Sequence, residues 1–216
     1  VPKEPKSPKE RPLPPESPEE PKKKLKIKLR DGKEREIQHM ISTSFWSADG
    51  TPISIQEFMD NMFGAMPEFF KSEEELRKIW SNPTTRKTFL EKIASAGYGK
   101  DELEILQKMI DAEQSDLFDV LAYTSFLTKP ISRIQRVEQS KEKIFEGLGK
   151  EQKEFLGFVL SKYEEKGVEE LAEEKLPILL NLKYHAIANA EQSLGSVEDI
   201  RLTFFTFQKN LYAKTH

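Results

Sequence analysis

Apolar positions along this chain change their spacing twice. Residues 1–24 contain almost none, because eight of the 13 prolines fall there among Lys and Glu, with only Val1 and Leu13 apolar. Such a segment buries too little surface to offset the entropy of ordering it. Its local preference is polyproline II, which predicts a semi-stiff linker over 1–24. From Lys24 the period becomes two: Leu25, Ile27 and Leu29 alternate with Lys26, Lys28 and Arg30. Asp31-Gly32 then predicts a type I′ turn and a return strand through Arg35 to about Ile41. A second turn at Asp49-Gly50, after Phe45-Trp46, allows a third short strand, so 25–46 reads as a β-hairpin region.

Beyond Thr51 the spacing becomes helical. Ser54 with Glu57 and Ser72 with Glu75 have the spacing of capping boxes, and Ile53 with Phe58 that of a hydrophobic staple. Ile55, Phe58, Met59, Met62 and Phe63 share one face, with Gly64 as a helix stop. Asn82-Pro83 predicts an N-cap followed by proline at the first helical position, with Phe89, Leu90 and Ile93 inward and a stop at Gly97. A helix over about 101–112 follows. Ser115 is the expected cap of a helix apolar nearly all round, hence central and buried. Ser132 with Gln135 opens a more polar helix to about Glu146, and helices are predicted over 150–165 and 177–193, ended by Gly167 and Gly195. Ser196 caps the last one, whose Val197, Ile200, Phe204, Phe207 and Leu211 form one seam. The fold class is therefore mainly α: one multi-helix globular domain over 25–216 with a small N-terminal antiparallel hairpin.

Composition changes this picture little. The 216 residues suffice for one domain and a tail, and a formal net charge of −3 with 33% charged residues gives no general attraction to nucleic acid or membrane. Cys 0 excludes disulfides and thiolate metal sites, which favours a cytoplasmic setting. No apolar run is long enough to span a bilayer, and no secretory signal opens the chain. With Val1 at its start, the chain is expected to be part of a longer polypeptide.

The search for catalytic chemistry returns little. His39, His185 and His216 stand singly, without metal-ligand spacing. Gly99-Lys100 and Gly149-Lys150 resemble the end of a phosphate loop, but Ala94 and Ile144 stand where its first glycine belongs, and Asp101 and Glu151 where Ser or Thr belongs. No catalytic, cofactor or metal residue is assigned. Asp116 and Asp119 lie three apart on the apolar helix. A buried Asp119 requires a cation, with Arg86, Arg133 and Arg136 as candidates; a catalytic acid is the other reading. Trp80 reads as a core anchor beside Pro83. Lys26, Lys28, Arg30, Lys33 and Arg35, within the basic stretch 22–35, are candidate phosphate contacts on the hairpin. Lysines that protect a sheet edge from pairing explain the same pattern.

Several runs, in order, carry a family resemblance: Phe45-Trp-x-x-Asp-Gly-x-Pro-Ile-Ser54, Glu75-Leu-Arg-x-Ile-Trp80-x-x-Pro-x-x-Arg86, Ile110-Asp-Ala-Glu-x-Ser-Asp-Leu-Phe-Asp-Val-Leu-Ala-Tyr123, Lys129-Pro-Ile-x-Arg133 and Gly195-Ser-Val-Glu-Asp-Ile200. From about Lys26 to Tyr212 the chain resembles the C-terminal domain of the R subunit of type I restriction enzymes, the EcoEI- and EcoKI-like class. The resemblance implies a non-catalytic assembly domain. It would dock an ATP-dependent translocase and nuclease, the parent chain using ATP and Mg, onto the M and S subunits, with DNA touched weakly or indirectly and residues 1–24 as tether. The alternative is an autonomous nucleic-acid-binding module built on the 22–35 hairpin.

Overall fold

A computed structural model of the protein describes residues 24–38, 45–47 and 49–214. The expected linker therefore lies outside the described residues except for Lys24, as do His39, His216 and the expected end of the return strand. Strands β1 (Lys24–Lys28) and β2 (Glu34–Gln38) pair antiparallel, with Leu25 opposite Ile37 and Ile27 opposite Arg35. A second pair, β3 (Phe45–Trp46) and β4 (Pro52–Ile53), forms its own two-stranded sheet. Ten α-helices follow among the described residues: α1 (Ile55–Ala65), α2 (Glu73–Trp80), α3 (Pro83–Ser95), α4 (Lys100–Met109), α5 (Leu117–Phe126), α6 (Arg133–Phe145), α7 (Lys150–Lys166), α8 (Leu176–Tyr184), α9 (Ile187–Leu194) and α10 (Val197–Leu211). The chain is mainly α with a small antiparallel hairpin at its start.

The hairpin turn differs from the type I′ expectation. Gly32 has φ 75, but Asp31 is not in the left-handed region, as a type I′ turn would demand. Gly32 N instead donates to Leu29 O at 2.9 Å and Leu29 N to Lys33 O at 3.2 Å, closing a three-residue loop in which Gly32 takes the left-handed position. The Asp31 carboxylate is the reason: it accepts from Lys33 N at 3.0 Å and from the Arg35 guanidinium, which holds the turn around the side chain.

Helix starts follow the capping chemistry closely. Ser54, Ser72, Ser132 and Ser196 each accept the amide three residues on, and Asn82 Oδ1 accepts Thr84 N at 2.9 Å ahead of Pro83. Gly99 and Gly149, the two phosphate-loop lookalikes, are simply N-cap residues of α4 and α7. Three expectations shift. Gly64 does not end α1; it passes so close to Arg30 that a Cβ there would collide with the guanidinium. The cap of α5 is Asp116 rather than Ser115. The helix expected over 177–193 is broken into α8 and α9, because His185 turns left-handed at φ 64.

One hydrophobic cluster joins these elements, from Ile27 and Ile37 of the hairpin through Phe58, Trp80, Leu121 and Val159 to Phe204. Trp80 is fully buried, with its ring against Phe89 and Phe118. Helix α5 runs through the middle: Phe118, Asp119, Val120, Leu121, Ala122 and Thr124 are all buried. No helix of the described residues is long and apolar enough to cross a membrane.

Candidate functional site

Two carboxylates at the start of α5 organise the polar interior. Asp119 accepts both bonds from Arg136 Nη2, at 2.8 and 2.7 Å, and takes Asp116 N at 3.0 Å across the first turn. Asp116 Oδ2 accepts the hydroxyls of Tyr163 at 2.5 Å and Tyr212 at 2.6 Å, and lies 3.8 Å from Arg136 Nε. Arg136 also stacks over the rings of Phe118 and Tyr212, at 5.3 and 5.0 Å from their centroids. One cluster thus ties α5 to α6, α7 and the residue after α10.

Of the three arginines considered for Asp119, it is Arg136 that meets it. Arg133 donates to Glu164 O and Ser115 O, joining α6 to the end of α7 and the loop before α5. Arg86 is buried with neutral acceptors: Trp80 O at 2.8 Å, Leu171 O at 3.0 Å and Gln208 Oε1 at 3.1 Å. Sequence reasoning missed the hydroxyls of Tyr163 and Tyr212 and the amide of Gln208. Their only signal is a polar tip on a seam of large apolar residues.

The electrostatics follow from burial. Burial alone would loosen the Arg136 proton, but Asp119 and Asp116 hold it above the ordinary arginine range. Burial pushes the Asp119 carboxyl up, against the pull of Arg136. It also pushes both tyrosine hydroxyls well up, helped by the Asp116 carboxylate. Arg86, with no carboxylate in its bonds, is pushed down by the same desolvation. Among the described residues, no three His, Asp or Glu side chains are placed to share a metal ion.

Several basic residues of the hairpin meet partners within the fold. Arg35 is wholly buried: its guanidinium forks onto Asp31 at 2.7 and 2.9 Å, donates to Thr124 O at 2.8 Å and lies over Phe63. It clasps the hairpin to α5 and α1, with its Nη atoms on Asp31, Lys33 O and Thr124 O and its buried Nε without a hydrogen-bond partner. Arg30 is forked onto Asp60, whose carboxyl it holds below the usual carboxylate range. Lys26 pairs with Glu34 at 3.5 Å and Lys24 with Glu36 at 3.8 Å, the diagonal neighbours across the strands. Lys28 and Lys33 have no ion pair among the described residues. On the exposed face β2 thus supplies acids to Lys24 and Lys26 of β1, while Lys28 is left without one.

The surface also leaves large apolar side chains outside. Ile178 and Leu182 stand one turn apart on α8, 52% and 59% exposed, and α10 exposes Leu202 at 66%. Trp46, on β3, is 58% exposed. The family described as EcoEI R protein C-terminal matches residues 56–212, from α1 to the tyrosine that closes on Asp116. The chain belongs to that family. The EcoEI-type match covers every helix, the buried Asp116–Asp119–Arg136 cluster included, while the hairpin and the Phe45–Ser54 run lie before it. No curated protein and no solved structure matches the chain.

Proposed function

We propose that this domain is a docking unit of a type I restriction R subunit, without catalysis of its own. On this reading it attaches the ATP-dependent translocase and nuclease of the parent chain to the M and S subunits, in the cytoplasm, and touches DNA only weakly or through that complex. ATP and Mg belong to the motor, and this part carries no cofactor. The observation behind the reading is the division of labour in the fold. The buried Asp116, Asp119 and Arg136 are engaged with one another and with Tyr163 and Tyr212, tying α5 to α6, α7 and the residue after α10, while α8 keeps two neighbouring apolar side chains in water. Scattered exposed apolar residues are ordinary, but a stripe on one helix face is what a partner surface uses.

Mixing the 216-residue chain with an M–S methyltransferase core tests the reading by sedimentation. A stable complex is expected, weakened by about tenfold or more when Ile178→Glu and Leu182→Glu are combined, since burying one such side chain stabilises by about 1.5–3 kcal/mol. Absence of any complex at low salt would sink the reading. The alternative, a nucleic-acid module on the hairpin, has less support because the strand pairing neutralises Lys24 and Lys26 and the fold buries Arg35.

A further inference from the structure

The hairpin sheet has two outer edges, and the fold treats them differently. Along β2, Glu36 N donates to Tyr123 Oη at 2.8 Å and Tyr123 Oη donates to Glu36 O at 3.3 Å, so α5 stops that edge. Residues directly opposite in an antiparallel pair either exchange both main-chain bonds or turn both groups outward. Glu36 turns outward, so Lys26, which stands opposite it, presents its N–H and C=O on the far side of β1. Lys28, two residues on, does the same: its carbonyl accepts Gln56 Nε2 at 3.2 Å. That bond closes one end of the β1 edge. Among the described residues, nothing bonds the outward N–H and C=O of Lys26.

The side chains around this open stretch define what fits it. On one face Lys24, Lys26 and Lys28 stand against two acids, Glu34 and Glu36, both on the β2 side. On the other face Ile27 is buried, but Leu25, opposite the buried Ile37, remains 43% exposed. A strand laid along β1 places alternate side chains against the lysines and the intervening ones against Leu25. We propose that the β1 edge receives an extended segment of another polypeptide, with acidic residues alternating with apolar ones, as an added strand. The lysines that invite acids also exclude a second copy of β1, which would set lysine against lysine. A DNA backbone offers acceptors to the lysines, but it can use neither the Lys26 carbonyl nor Leu25. The site shares no residue with the α8 docking reading and stands whether or not that reading does.

The test uses the ¹⁵N-labelled 216-residue chain and a short synthetic peptide of alternating glutamate and valine with blocked ends, at ionic strength held constant with NaCl. A saturable shift of the Leu25 and Lys26 amides is expected, with a Kd of about 1 mM or tighter. Exchange of the Lys26 N–H with solvent should slow by about tenfold at saturation, because strand addition bonds that group and charge attraction alone does not. Methylating the glutamate amides of the peptide keeps its charge, removes its donors, and should weaken binding by about tenfold. Lys26→Pro removes the outward donor on the protein side, a change that edge strands tolerate, and should weaken binding as much. Unchanged exchange at Arg35 and Ile37 shows that the hairpin persists in that variant; where it loosens, the methylated peptide decides alone. Lysine in place of glutamate in the peptide should abolish binding. No saturable shift, or one that survives peptide methylation, overturns the strand site. So does a Lys26 shift that follows protein concentration without peptide, which assigns the edge to a second copy. Saturation by duplex DNA with none by the peptide overturns it too, in favour of phosphates.

Discussion

Arg136 and Arg86 are both guanidiniums taken almost entirely out of water, and the chain treats them differently. Arg136 faces carboxylates, whereas Arg86 makes its bonds to two main-chain carbonyls and an amide oxygen. Removing a partner from the first arrangement leaves a buried charge uncompensated. Asp119→Ala should therefore cost about 3–5 kcal/mol in urea unfolding, well above the typical point substitution. A loss under about 1 kcal/mol would mean that water reaches Arg136 when its partner is gone. The tyrosines on Asp116 add a dependence on pH. Unfolded, their hydroxyls titrate near about 10; folded, burial and the Asp116 carboxylate raise both. The folded state thus keeps protons that the unfolded state releases, so this contribution is fully present below about pH 10 and falls as the pH rises beyond it. Combining Tyr163→Phe with Tyr212→Phe should flatten the alkaline limb of a melting-temperature profile relative to the unsubstituted chain. An identical alkaline limb in both proteins would remove the tyrosines from the account.

Among the elements, start signals were more legible than interior ones. Asn82 is a clear case: its side chain accepts from Thr84 N and, at 3.4 Å, from Thr85 N, while Pro83 supplies no amide to satisfy. Asn82→Ala should cost about 1 kcal/mol, and Asn82→Asp should restore most of it through the helix dipole; guanidinium melts of the pair decide this. Such caps are written in three or four adjacent residues, which is why Ser54, Ser72, Ser132 and Ser196 could be read directly from the chain. The start of α5 moved from Ser115 to Asp116 because both residue types cap well, and only the reach of Asp119 back to Asp116 N chooses between them. The break at His185 had no glycine or proline to announce it, and the close pass of Gly64 under Arg30 depends on a hairpin distant in sequence. The candidate cluster was legible to the same depth. That a buried Asp119 needs a cation follows from its neighbours along the helix; that the cation is Arg136, and that Tyr163 and Tyr212 close around Asp116, depends on how α6, α7 and α10 pack. The basic hairpin shows the same limit. Lys26 and Arg35 look alike in a one-dimensional charge run, yet pairing sets one against Glu34 and the fold buries the other on Asp31 and Thr124.

Across the whole molecule, the end of α10 acts as a keystone for parts far away in sequence. Tyr212 sends its hydroxyl to Asp116, lends its backbone oxygen to Arg77 of α2 at 3.0 Å, and places its ring under Arg136 and beside Phe118. A chain ending at Leu211 would lose all of these together. The loss should resemble removal of a buried aromatic, about 3–5 kcal/mol, with the stranded Asp116 and Arg77 groups adding to it. If α5 and α10 belong to one cooperative unit, the penalty will appear across the domain: backbone amides of α5 should exchange with solvent faster by the same free energy as those of α10. Hydrogen exchange of the shortened chain measures both helices at once. Unchanged protection in α5 beside lost protection in α10 would show that the last helix frays alone, and that the buried cluster is held from the α6 and α7 side. Matching losses in both helices would instead mean that one aromatic residue past the end of α10 helps set the stability of a helix nearly a hundred residues upstream, which is the role its contacts with Asp116, Arg77 and Arg136 assign to it.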